Sequence, residues 1–469
     1  MFAQHPALLL AGLLAFASPA IAARIDAKPA GDHPGSKIHV IGRDFAGGET
    51  VEISFDNVGE LQVAADAQGD FKTPLTVPED ATPGRHTIKA KGQTGDGAKT
   101  RFTVSTDWSQ FRFAARKTGI NPFENVLTAG NAAGLAQVWT GTTGSYIYSS
   151  PAVVNGVVYV GSEDDNLYAF DAATGAKLWS APTGASIYSS PAVANGIVYV
   201  GSYDGKIYAF DAASGAQVWA ATTGAAVESS PLVANGVVYV GSNDENVYAF
   251  NAETGALLWS TATDGFVFSS PAIANGIVYV ASEDGILHAL DAATGAKLWG
   301  FDPQCVFEAS PAVANGVVYI GCFDGRLYAF DAKKGTELWK SVSTGSDILS
   351  SAAVLNGAVY VGSENNDLFA FDAATGAELW SAATGSSIDS SPAVANGVVY
   401  VGSWDGNVYA FDAKSGAKLW TGAIGDVVIS SPAVANGMVY VGSWDGNLYA
   451  YSLGGARTDE GARPAPGHR

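Results

Sequence analysis

The 469-residue chain carries little charge, and the charge is one-sided: 25 Lys and Arg stand against 45 Asp and Glu, a formal net charge of −20. That balance excludes nucleic acid as a partner, because a polyphosphate would meet repulsion, and it speaks against anionic membrane surfaces. Histidine is scarce, and only His288 lies within the repeated region. It stands where another repeat has Tyr168, and reads as a core-edge substitution, neither ligand nor general base. H-E-x-x-H, C-x-x-C, G-x-S-x-G and P-loop motifs are missing. The two cysteines, Cys305 and Cys322, have no histidine placed to activate them. Hairpin counting sets both toward one face and allows a disulfide between them. No reactive thiol is expected in an exported protein.

Long hydrophobic runs are missing too. ALLLAGLLAFA (7–17) is too short to span a bilayer comfortably. With Ala20-Ile21-Ala22 as an A-x-A cleavage pattern, residues 1–22 read as a signal peptide. No Cys follows, so no lipid anchor is expected there. The expectation is a periplasmic, secreted or cell-surface protein without membrane insertion.

What is present is glycine, 56 residues, and aromatics at 11%. This suits a β-rich chain with many tight turns. Tryptophans fall at 139, 179, 219, 259, 299, 339, 380 and 420, forty residues apart with one step of 41. Residues 189–224 show the unit, SSPAVANGIVYVGSYDGKIYAFDAASGAQVWAATTG. It reads as four strands: SSPAV up to an Asn-Gly hairpin, IVYVGS up to Asp-Gly, KIYAFD, then AQVWA. Four antiparallel strands per forty residues is a β-propeller signature. The SSPAV element occurs eight times. The LW-type strand begins one step early, at 135–139, and the last repeat lacks it. The prediction is an all-β, eight-bladed propeller over 135–453, closed by pairing the strand at 135–140 with the C-terminal three. Closure removes exposed sheet edges. Residues 24–105 read as a small β-sandwich of short alternating strands. Residues 106–134 read as a linker whose Trp108, Phe111 and Phe113 pack on a propeller face. Residues 454–469 read as a disordered tail.

The unit SSPAVANGVVYVGSxDGxLYAFDAATGAKLW resembles the PQQ-type propeller repeat. That repeat occurs in quinoprotein dehydrogenases and in the propeller lipoprotein of the outer-membrane assembly machinery. The resemblance covers about 135–452 and rests on a recurring Asp-x-x-x-Gly-x-x-x-Trp ladder, as in Asp171, Gly175 and Trp179. It implies that each Trp docks neighbouring blades. Asn251 departs from the ladder, and the strand ending at Trp139 lacks its Asp and Gly. The segment 107–127 resembles the lead-in of secreted members, and 36–104 resembles the Ig-like modules of bacterial surface proteins. For function the resemblance implies either a quinone-dependent oxidoreductase with PQQ and Ca²⁺ or a non-catalytic scaffold. The adjacent cysteine pair of the dehydrogenases is missing, and the uniform repeats carry no insertions to house such a site.

Near-identical repeats expose the positions that vary. One set precedes the Ser pair: Tyr146, Tyr148, Tyr188, Glu228, Phe266, Phe268, Glu308, Asp347, Leu349, Asp389 and Ile429. The other precedes the turn Asp: Glu163, Tyr203, Asn243, Glu283, Phe323, Glu364, Trp404 and Trp444. Both are expected on one face. The turn aspartates, Asp164 and its equivalents, read as turn chemistry through left-handed backbone and self-bonding, not as a calcium site. The candidate ligand-binding residues are Tyr146, Tyr148, Tyr188, Glu228, Phe268, Glu308, Asp347, Asp389, Trp404 and Trp444, around the mouth of a central channel. An aromatic and acidic mouth suits a neutral or cationic ligand, or a peptide or glycan that stacks. The competing expectation for Trp404 and Trp444 is packing under the linker aromatics. The functional expectation is an exported, monomeric, non-catalytic binding or scaffolding protein with a protein, peptide or glycan partner. No catalytic residue, resident cofactor or metal is expected. The alternatives are a PQQ-dependent oxidoreductase and a structural cell-surface module.

Overall fold

The computed structural model describes residues 22–454. All but the last residue of the expected signal peptide and all but the first residue of the expected tail lie outside them. The described chain divides at Val104 and Ser105 into two compact units.

The N-terminal unit has a three-stranded and a five-stranded sheet. Ile38 and Val40 of the first and Val51, Ile53, Ile88 and Phe102 of the second share one core. Alternation of buried and exposed residues along Lys37–Arg43 and Thr50–Phe55 is what a half-buried strand requires. Two of its strands precede the region 36–104 that carries the resemblance: Arg24–Lys28, antiparallel to Lys37–Arg43, and Gly31–Asp32, parallel to Gly97–Val104.

Among the described residues, the second unit holds eight four-stranded antiparallel sheets, one of which gains a fifth, short strand. In the second sheet the strands are Ala192–Ala194, Ile197–Ser202, Lys206–Asp211 and Gln217–Thr222. In the eighth, Leu135–Thr142 pairs with Asn447–Leu453 and joins the two ends of the repeated region. The Asn-Gly hairpins have positive φ at both residues, 52° and 75° at Asn155 and Gly156, the geometry of a type I′ turn.

The first strand is shorter than SSPAV. Proline has no N–H to donate, and the serines bond elsewhere. Ser149 Oγ accepts from Gly161 N–H within its own blade, at 3.0 Å. The next serine bonds across blades. Ser150 N–H donates to Ser190 Oγ, Ser190 to Ser230, and so on until Ser431 N–H returns to Ser150 Oγ. All eight bonds lie between 2.8 and 3.0 Å. The second serine thus ties each blade to its neighbour, while the first, replaced by Ala309 in blade 5, bonds within its blade and in blades 3, 7 and 8 also donates to a backbone oxygen of the next.

Blade docking uses the ladder. Trp179 Nε1 and Tyr159 OH both donate to Ala212 O of the next blade, at 3.2 and 3.1 Å. The indole lies over Gly215, where a Cβ would sit 2.7 Å from Trp179 and φ is +72°. Only glycine meets both demands.

The linker makes a circuit of the ring at the Asn-Gly end. Trp108 exchanges backbone bonds with Val153 of blade 1. Backbone oxygens of Ser109, Ala115, Arg116, Thr118 and Gly119 accept from Val193, Ile273, Val313, Val354 and Val394 of blades 2, 4, 5, 6 and 7. Gln110 Oε1 accepts from Val233 of blade 3, and Asn436 of blade 8 bonds Thr106. Asn121 Nδ2 then donates to both Thr106 O and Val434 O, closing the circuit. Inside this hoop Arg112 is buried, its guanidinium donating to Lys117 O, Pro392 O and Ala352 O. Lys117 is fully buried, with Nζ 5.2 Å from the Phe111 ring centre and no hydrogen-bond partner.

Candidate functional site

The other end of the ring carries the turns between second and third strands. Each turn Asp is a hub. Asp164 Oδ1 accepts from Asn166 N–H, and Oδ2 accepts from Gly144 N–H and Tyr168 OH. The left-handed residue is not the Asp but its successor, Asp165 at φ 69° and Gly205 at 79°, which corrects the expectation from the sequence. The Asp is kept for its bonds. His288 replaces the Tyr in blade 4 and keeps the contact, Nε2 to Asp284 Oδ2 at 3.0 Å. Burial holds this imidazole below its usual range, opposed by Asp284. In blade 6 both partners change together, to Asn365 and Phe369.

The lead-in to each first strand hydrogen-bonds a neighbouring turn, for example Glu163 N–H to Tyr146 O and Trp404 N–H to Ser387 O. This brings the two variable sets together. Trp444 lies 5.2 Å from Trp404, 5.2 Å from Tyr148 and 5.8 Å, stacked, from Tyr146, between ring centres. Tyr148 meets Tyr188 at 4.7 Å, and Tyr188 meets Tyr203 at 5.0 Å. The result is a continuous aromatic arc over blades 7, 8, 1 and 2. Tyr146 and Trp404 are 47% and 39% exposed, so the arc is open to solvent. The expectation that these tryptophans lie under the linker aromatics is not met. Trp108 sits at the Asn-Gly hairpin end, where the linker finds the free N–H groups of the first strands.

Carboxylates bracket the arc. Trp404 Nε1 donates to Asp389 Oδ2 at 2.8 Å, and Tyr188 OH donates to Glu163 at 2.6 Å. At the far end Tyr203 lies beside Glu228; burial and then that charge push its hydroxyl up. Glu228 also accepts from Asn243 Nδ2 at 2.7 Å. Glu308 is held above the usual carboxylate range by burial, then by Glu283, Asp389, Glu228 and Glu364. Glu364 is raised by burial, Asp389 and Asp347. Asp389 is raised by burial, against the pull of the Trp404 bond. Tyr203, Glu283 and Glu364 were legible as variable positions but not among the candidate ligand-binding residues. Phe268 meets Phe266 edge-on at 6.0 Å, apart from the main arc. Cys305 and Cys322 form a disulfide beside Asp324, the one cysteine pair among the described residues.

Residues 123–231, 167–266, 203–347, 247–387 and 323–466 match the family described as outer membrane protein assembly factor BamB. The chain belongs to this family of PQQ-type repeat propellers. No curated protein matches it. Among solved structures, BamB from Moraxella catarrhalis is similar over 68% of this chain and 98% of its own, at 23% identity and a TM-score of 0.59. A europium-containing methanol dehydrogenase is similar over 74% and 98%, at 15% identity and a TM-score of 0.65. The quinohemoprotein alcohol dehydrogenase from Comamonas testosteroni is similar over 77% and 83%, at 18% identity and a TM-score of 0.66. At such identities the likeness shows the fold, which an assembly factor and dehydrogenases share. Among the described residues no helix is long and apolar enough to cross a membrane.

Proposed function

We propose that the protein is an exported, non-catalytic binding propeller that uses the channel mouth as its contact surface. The observation that carries this reading is the aromatic arc from Trp404 to Tyr203, open to solvent and bracketed by Asp389 and Glu228. Exposed rings in continuous contact, with polar groups at the margins, are what recognition surfaces offer. The N-terminal sandwich then serves as an Ig-like attachment module. The residues of the mouth do not fit a pyrroloquinoline quinone. That cofactor is a tricarboxylate, and the mouth presents Glu228, Glu308, Asp389 and Glu364; burial and then neighbouring carboxylates already hold Glu308 and Glu364 above the usual range. The cysteines are not adjacent; they are separated by 17 positions. The test has two arms. Reconstitution with PQQ and Ca²⁺ is expected to give no dye-linked alcohol or sugar oxidation. Ligand screening is expected to find a binder that Glu228→Ala and Asp389→Ala weaken. Oxidation activity, or binding indifferent to both substitutions, rejects the reading.

A further inference from the structure

The class of ligand can be argued from the order of side chains around the mouth, taking the binding reading as its premise. From blade 3 to blade 8 the residue before the Ser pair runs Glu228, Phe268, Glu308, Leu349, Asp389, Ile429. Acidic and apolar side chains alternate blade by blade. Each carboxylate is therefore a whole blade from the next, but all three stand two residues ahead of a serine in the closed ring of eight bonds, which sets them around one axis, and the charges of Glu228 and Asp389 both bear on Glu308. They face a common space.

The spacing decides against a metal ion, which needs its oxygens on one centre. Among the described residues, the one group of three ligand atoms within 4.8 Å is Cys305, Cys322 and Asp324, and its sulfurs are joined to each other. The sign of charge decides against anions. The arc beside Asp389 adds faces of Trp404, Trp444 and Tyr148, which attract cations and cover methylenes. The linker occupies the opposite end of the ring with Arg112 and Lys117. Both cations are buried there, so the acidic end is left with carboxylates and aromatic faces.

We propose that this acidic and aromatic end of the ring takes a linear polyamine, an organic oligocation whose ammonium groups are separated by short methylene runs. Glu228, Glu308 and Asp389 take the charges. Phe268, Leu349 and the Trp404–Trp444 wall take the methylenes. Several charges on one flexible chain match several carboxylates that no single ion can reach together.

The experiment is a calorimetric titration of the full protein with spermidine, with Trp emission followed in parallel. One saturable site is expected, with a change in emission and weaker binding at high salt. Glu308→Gln and Asp389→Asn are each expected to weaken it about tenfold while leaving the melting temperature in place. Putrescine, with one charge fewer, is expected to bind less tightly. The absence of saturable spermidine binding overturns the proposal. So does displacement by equal concentrations of Ca²⁺ or of trilysine, which would point to bulk charge or to a basic peptide. A neutral glycan and peptide panel on the same emission signal separates the premises. A binder there, with spermidine inert, removes only the ligand class; silence throughout removes the binding reading as well.

Discussion

Ser431 N–H donates to Ser150 Oγ at 2.9 Å across 281 residues of chain, and this bond completes a ring of eight identical ones. Each bond is weak, about 1 kcal/mol net. Their closure means that no blade is terminal.

The docking glycine gives the first prediction. Gly215→Ala places a Cβ 2.7 Å from Trp179 on backbone at φ +72°. Strain and overpacking together are expected to destabilise by about 2–3 kcal/mol, read as a lowered urea midpoint. Gly196→Ala, where a Cβ would meet nothing within 4 Å, is expected to show only the backbone part of that loss.

Lys117 sets a pH signature. Burial, then Arg112, lowers its pKa from 10.5 to about 7. Above the unfolded value the amine is neutral in both states. As pH falls from there toward 7, only the unfolded chain takes up the proton, so the native protein loses stability. Below 7 the loss is constant. Lys117→Met is therefore expected to be more stable than wild type at neutral pH by a few kcal/mol, the gap opening between pH 10.5 and 7. A pH-independent difference in denaturation midpoints would show that burial does not act through the charge.

The disulfide spans 17 positions. In the chain-entropy model such a loop stabilises by about 3 kcal/mol. Cys305→Ser/Cys322→Ser is expected to lower the melting temperature accordingly. Unfolded, unreduced wild type is expected to show no thiol to a chromogenic reagent.

Blade 6 offers a double-mutant cycle. Phe369→Tyr alone adds a buried hydroxyl beside Asn365, whose amide already serves Thr344 O and Asp367 N–H. A loss of about 1–2 kcal/mol is expected. Adding Asn365→Asp restores the carboxylate that accepts from Tyr168 in blade 1, and the pair is expected to recover about 1 kcal/mol by chemical denaturation.

The repeated strands, the closure at 135–142 and the Trp ladder were legible because each follows from local chemistry repeated in register. Asn-Gly fixes a hairpin wherever it occurs. The linker's course was not legible. It is held mainly through its backbone carbonyls, which any residue supplies, so Ser109 and Ala115 carry no signal in their side chains. The mouth lay between these cases. Its variable positions stood out against the repeat, but the contact of Trp444 with Tyr148 joins the last blade to the first. Only closure of the ring brings those two residues together.

That linker has one further consequence. Near-identical units of forty residues invite recombination that drops or duplicates a unit, and a propeller can in principle close with one blade more or fewer. The hoop from Thr106 to Asn121 holds one attachment for each blade and then meets itself. A ring with a lost or added unit would leave an attachment empty or a first strand unattached. The hoop therefore acts as a gauge of repeat number, holding the count of units steady against the instability of the gene that encodes them.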